Sequence, residues 1–217
     1  MSNITIKNLK TSGTIYKTVA NDTVWANASE DVVIKDCVFD GRQYNTILTH
    51  DKTGMPIPKT VTVENCDFPG EVVNNAISVL SLQEGGSITV KNCHFASVSN
   101  AFRFCNKTNV SGVTITIEDC VCDKWDSDLK WAGFFIFEDV NSKSAETAAD
   151  NNRFAPEKVK VVVKNLIGPD GNKIMPEDLS VCMGTMDSNQ IGFVCIDKSD
   201  FDILPYSATH YPEFTFE

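Results

Sequence analysis

Short runs of alternating apolar and polar residues recur along the chain, and apolar residues at helical spacing are almost absent. One phrase appears six times: apolar, any, apolar, Lys or Glu, Asn or Asp, Cys or Leu, any, and usually an apolar residue. It reads ITIKNL at Ile4–Leu9, VVIKDCVF at Val32–Phe39, VTVENCDF at Val61–Phe68, ITVKNCHF at Ile88–Phe95, ITIEDCVC at Ile115–Cys122 and VVVKNLI at Val161–Ile167. A period of two predicts β-strands. In the third copy Val61 and Val63 share one face, while Cys66 and Phe68 alternate one residue out of step with them. The phase changes at Asn65, which places a bend there. Asn and Asp tolerate the left-handed conformation that such a bend needs.

Successive Cys or Leu positions of the phrase lie 28, 29, 27, 27 and 46 residues apart. Four near-equal steps and a long one describe a regular array with one insertion. The excess falls in Glu138–Lys158, a polar, Ala/Asn/Ser-rich stretch that reads as a surface loop. A second alternating phrase sits in each period, at Asn45 (NTILTH), Asn75 (NAISVLS), Asn100 (NAFRFC) and Ala132 (AGFFIFE). Two or more short strands joined at a sharp corner and repeated every ~27 residues make one coil of a solenoid. Equivalent residues then stack one strand spacing apart, ~4.8 Å. Three rows follow: Asn8, Asp36, Asn65, Asn92, Asp119 and Asn165 at the corner; Cys37, Cys66, Cys93 and Cys120 inside; and Phe39, Phe68 and Phe95 inside.

With its corner asparagine before a small inward residue, VENCDF resembles the repeat of the right-handed parallel β-helix, pectate-lyase-like superfamily, over roughly Ile4–Ile167. The resemblance implies an all-β fold: a right-handed parallel β-helix of about six coils spanning residues 1–167, with one inserted loop at 138–158. Residues 168–217 then supply the last strand or strands, with IGFVCID as one, and a C-terminal cap or an arm to a neighbour. A solenoid end exposes a strand edge unless something covers it, which favours the cap.

Composition narrows the chemistry. The formal charge is −10, from 29 acidic and 19 basic residues, so a phosphate backbone would repel the chain and no nucleic-acid partner is expected. The longest apolar run, Trp131–Phe137, is too short to span a bilayer, and no membrane partner is expected. The first ten residues lack the basic and apolar regions of a signal peptide. The eight cysteines form no CxxC, and the three histidines, His50, His94 and His210, lie far apart, so no zinc spacing and no cofactor is read. One cysteine per coil, in the slot that Leu9 and Leu166 fill elsewhere, reads as core packing with free thiols.

The acidic groups Asp123/Asp126/Asp128 and Asp197/Asp200/Asp202 lack the spacing of a calcium loop and read as solvated loops. Arg103 alternates with Phe102 and Phe104 and points outward. Were the chain an enzyme of an outer groove, Asp126, Asp128, Glu138 and Asp139 around the aromatic strand would be its carboxylates. Enzymes of the superfamily have longer solenoids with groove-forming loops, so catalysis is not the expectation. By resemblance to short β-helix modules of bacteriophage particles, the expected role is that of a virion structural protein. It would be made in the host cytoplasm and decorate a capsid or tail, contacting other virion proteins and possible copies of itself. The alternative is a carbohydrate-active (polysaccharide lyase or hydrolase-like) or glycan-binding β-helix.

Overall fold

The computed structural model describes residues 2–11, 22–49, 54–125, 133–139, 152–185, 189–195, 202–205 and 212–217. These form a parallel β-solenoid with three sheet faces. The first face runs β1 (Asn3–Lys7), β4 (Asp31–Lys35), β7 (Thr60–Glu64), β9 (Ser87–Lys91), the start of β11 (Val113–Cys122), β13 (Val159–Ile167) and β17 (Glu213–Phe216), all parallel. The second runs β2 (Lys10–Thr11), β5 (Val38–Phe39), the starts of β8 (Asp67–Val79) and β10 (His94–Phe104), then the ends of β11 and β13. The third runs β3 (Asp22–Trp25), β6 (Gln43–Thr49), the ends of β8 and β10, and β12 (Gly133–Asp139).

The corner between the first two faces repeats closely. Asn8, Asp36, Asn65, Asn92, Asp119 and Asn165 all hold φ between 50° and 56°. Their side chains link turns: Asn65 Nδ2 donates to Asp36 Oδ1 at 2.9 Å, Asn92 Nδ2 to Asn65 Oδ1 at 3.1 Å, and Asn165 Nδ2 to Asp119 Oδ1 at 3.0 Å. Because the corner flips the side-chain phase, Val61 and Val63 before it and Cys66 and Phe68 after it all face the core, each 2 % exposed or less. Phe39, Phe68 and Phe95 stack face to face, with centroids 5.1 and 4.8 Å apart.

Counting copies of the phrase overestimates the solenoid. Six corners enclose five intervals, and the last of these carries the insertion. The regular array therefore has about four turns, fewer than the six coils expected from the sequence. The insertion is also shorter than the polar stretch suggests. Glu138 and Asp139 complete β12, and residues 152–158 return to the wall. There Phe154 is buried between Phe104 and Phe137, and Asn106 Nδ2 donates to the Arg153 carbonyl at 2.7 Å. Residues 140–151 lie outside the described residues.

The C-terminal region closes the array with a change of topology. IGFVCID contributes to β15 (Asn189–Cys195), which pairs antiparallel with β12 and with β14 (Ser180–Thr185), and β16 (Asp202–Pro205) follows β14. It is not the last strand: β17 lies in parallel on β13. A turn at Gly168–Ile174 folds back on the end of the second face, with Ile174 N–H donating to Leu166 O at 2.8 Å. The third face is covered on both sides. Ile47, Ile77 and Phe102 join the core, while Leu48, Leu80 and Cys105 make a separate buried cluster. Where the second face meets the third, Gly70 approaches Gly41 so closely that a Cβ would lie 1.9 Å from the Gly41 carbonyl oxygen.

The corner makes a graded prediction. Asn65→Ala keeps a Cβ at positive φ and loses both inter-turn amide bonds, the one to Asp36 and the one from Asn92, so it lowers stability by about 1–2 kcal/mol. Asn65→Gly loses the same two bonds but relieves the backbone, so it costs less. Urea denaturation of the two variants checks the order. Cys66→Asp, which buries a carboxylate among apolar groups, costs several-fold more than either.

Candidate functional site

On the outer surface of the second face, stacking brings three ionisable side chains into line across three turns. His94 opens β10, Asp67 opens β8 directly beneath it, and Asp123 follows β11 above. His94 Nδ1 lies 2.8 Å from Asp67 Oδ1, and Nε2 lies 2.8 Å from Asp123 Oδ2. A neutral imidazole donates through one nitrogen only, so both bonds require the imidazolium. Burial disfavours that charge and is the largest single influence. Asp123 and then Asp67 together outweigh it and raise the His94 pKa above its ordinary value. With both nitrogens engaged, neither is free to take a proton from a substrate. The three side chains are 42–54 % exposed, which places each pair in the surface range of ~0–1 kcal/mol.

The outer surface of the first face carries charges of alternating sign. Lys35 pairs with Glu64 at 3.1 Å, Lys91 with Glu118 at 2.5 Å and Lys164 with Glu217 at 2.8 Å. Each lysine is held above its ordinary pKa, first by the hydrogen bond to its glutamate and then by the glutamate's charge.

Inside the corner, the thiol row has a bonding pattern of its own. Cys37, Cys66, Cys93 and Cys120 are buried, and each Sγ lies 3.1–3.4 Å from the carbonyl two residues earlier, at Lys35, Glu64, Lys91 and Glu118. Those carbonyls also accept the N–H of the corner residue one turn below. The thiol is thus a small apolar group with a weak donor for the second lone pair, which leucine lacks. Cys93 is pushed well above its ordinary pKa by hydrogen bonding to Cys120 and then Cys66, and by burial. Burial likewise pushes Cys122 far up. Cys93 and Cys122, held neutral in this way, are poor nucleophiles and poor metal ligands. Among the described residues no cluster of three or more His, Cys, Asp or Glu is placed to hold a metal ion.

Among the described residues, two open grooves lie beside the array. One, of about 430 Å³, lies by the C-terminal turn between Trp125, Pro169, Asp170, Asn172, Lys173, Ile174 and Asp178. Asp170 there is held below its ordinary pKa by the Asn172 side chain and then by the Asn172 backbone N–H. The other, of about 450 Å³, lies at the N-terminal end between Ile4, Asn27, Met55 and Pro56.

Asp126 and Asp128 lie outside the described residues, as do Asp197 and Asp200. Glu138 and Asp139 pair through their backbones with Gln190 and Asn189, and Asp202 begins β16, but the side chains of these three lie outside what the structure describes. Asp123 joins His94 and not a carboxylate group. Arg103 is half-buried on the outer side of β10, its Nη1 3.4 Å from Ser78 Oγ. The Asn45–Asn75 pair that opens the second phrase is bonded inside the third face, Asn75 Nδ2 to Asn45 Oδ1 at 3.2 Å.

No protein-family model, no curated protein and no solved structure matches the chain.

The His94 geometry fixes a sign. Because the folded-state pKa is raised, its stabilising contribution is full below about pH 6.5 and is lost as pH rises through the folded value. NMR titration reads a His94 pKa above 6.5 that falls in Asp67→Asn and falls further in Asp67→Asn/Asp123→Asn. For the thiols, a polar alkylating reagent leaves Cys37, Cys66, Cys93 and Cys120 unmodified in the native protein and labels all four in denaturant.

Proposed function

We propose that the chain is a non-enzymatic structural module of a bacteriophage particle, decorating a capsid or tail surface. The observation that carries this reading is the direction in which its outer charged and polar side chains point. The Lys/Glu row, the corner amides and the Asp67–His94–Asp123 line bond to neighbouring turns, so the outer rows stiffen the solenoid along its axis. Stiffness along a short axis suits a building element. The repeat's resemblance to short pectate-lyase-like β-helix modules of phage particles supports the virion setting by analogy of fold. Mass spectrometry of purified particles tests it: a fixed, integral copy number per particle is the expected result, and absence from particles overturns the reading.

The groove beside Trp125 favours one second reading, a glycan-binding module. Trp125 offers an aromatic surface, and Asp170, Asn172, Lys173 and Asp178 offer donors and acceptors for hydroxyl groups. On that reading Trp125→Ala abolishes retention on a polysaccharide array that the wild-type chain binds.

A further inference from the structure

We propose that the groove beside Trp125 selects a glycan that carries basic amino sugars; the proposal rests on the glycan reading of that groove and adds the class of sugar. The apolar part of the groove is held from behind. Trp125 is bridged in parallel to Val98 of the adjacent turn, and the buried Phe134 packs perpendicular to its indole at a centroid distance of 5.7 Å. The indole itself is half-buried, and the buried Ile174 lies beside it in the lining. Such a ring gives the C–H face of a pyranose an apolar seat. Its electron-rich face also attracts a cation placed over it.

The polar part is set by the backbone before any ligand arrives. Gly168 N–H donates to Asn172 O at 2.9 Å, which closes the turn that carries Asp170. Asp170 Oδ1 accepts from the Asn172 backbone N–H at 3.0 Å, and Oδ2 accepts from Asn172 Nδ2 at 2.7 Å. Asp178 Oδ2 accepts from the Met175 N–H at 2.8 Å. Each bond uses one lone pair and leaves the carboxylate its charge. The Asn172 side chain and then its backbone N–H hold Asp170 below its ordinary pKa, so it is ionised wherever an amine is protonated. Carboxylates fixed in this way need little ordering when a ligand binds.

Charge then decides the class of sugar. The lining holds two carboxylates, Asp170 and Asp178, against one ammonium, Lys173, whose Nζ already donates to Glu217 O at 2.8 Å. The groove is thus anionic, in a chain whose formal charge is −10. A uronate would bring a third carboxylate into this field and be repelled. An N-acetylated or plain hexose would gain the indole and the hydrogen bonds, but nothing from the charge. A protonated amino sugar gains all three. Its pyranose lies on Trp125, its hydroxyl groups reach Asn172 and the carboxylates, and its ammonium is attracted by Asp170 and Asp178.

Isothermal titration calorimetry on the whole chain tests this with short oligomers of equal length, of glucosamine, N-acetylglucosamine and galacturonate. At about pH 5.5 the carboxylates are ionised and the amine is protonated. Glucosamine oligomers bind roughly threefold or more tighter than N-acetylglucosamine oligomers, galacturonate oligomers bind weakest, and added salt narrows the difference. Asp178→Asn keeps an oxygen for the Met175 N–H and removes one charge. It narrows the preference and leaves the affinity for N-acetylglucosamine oligomers unchanged. Trp125→Ala leaves the net charge as it is and loses both sugars. Glucosamine oligomers held undiminished by that variant would be answering the overall charge of the chain, which overturns the proposal. Asp178→Asn carries the test by itself if Trp125→Ala does not fold. Wild-type protein that binds none of the oligomers overturns the glycan reading and the proposal together. N-acetylglucosamine or galacturonate bound as tightly as glucosamine, or an undiminished preference in Asp178→Asn, overturns the proposal and leaves the glycan reading standing.

Discussion

A residue held near φ = +55° reverses the side-chain phase of the strand that carries it, and the core of this solenoid is built on that reversal. Without it, Cys66 and Phe68 would point to solvent whenever Val61 and Val63 pointed in. A left-handed residue costs an ordinary side chain roughly 1 kcal/mol. All six described corners of this class are Asn or Asp, for which the cost is smaller. The corner then sets the neighbouring chemistry. At four successive corners, Asn8, Asp36, Asn65 and Asn92, it turns the N–H of the corner residue towards the next turn's carbonyl, and that carbonyl also lies under a cysteine Sγ. Hinge, thiol and inter-turn bond are one unit repeated by translation.

Translation also explains why the ends differ from the middle. A single turn encloses too little apolar surface to hold itself, and every inward residue relies on the turns above and below. Among the described residues β1 pairs on the first face with β4 alone, and Ile4 and Ile6 are only partly buried. The chain treats its C-terminal end by changing topology: antiparallel β15, β14 and β16 extend the third face, a turn folds over the second, and β17 adds one strand to the first.

Much of this architecture was legible because, in a parallel in-register solenoid, equal spacing in sequence becomes stacking in space. The 27–29-residue period places Asp67 beneath His94 by arithmetic alone. Asp123 escapes that arithmetic because it sits two residues beyond the row's own member, Val121, and reaches back to the ring. The third face is harder to read for a related reason. The β8–β10 pairing shifts register between Phe95 and Ser97 and again between Val98 and Asn100, so the spacing of the first phrase does not carry over to the second. The antiparallel strands repeat nothing, so no period announces them. The number of turns is misread from the sequence because a phrase marks a corner, and a turn is the interval between corners.

A stacked array cannot be a perfect repeat if its outer positions carry charge. Identical copies would set like charges one strand spacing apart, at a cost of about 1 kcal/mol per step in water and more beside a protein wall. The departures from the repeat follow this constraint. The charged position before the corner changes sign at each step from Lys35 to Glu217. The two corner aspartates are separated by Asn65 and Asn92, whose amides can both donate and accept. On the second face a histidine separates Asp67 from Asp123, and their joint field raises its pKa. Where the phrase varies on the outside, it varies in the property that lets neighbouring copies touch; where it faces the core, it varies in apolar shape and, between Cys and Leu, in one weak donor. Sign alternation between copies is thus a sequence-level mark of parallel stacking, independent of the apolar period, and the Lys7–Lys35 step is where that mark is broken.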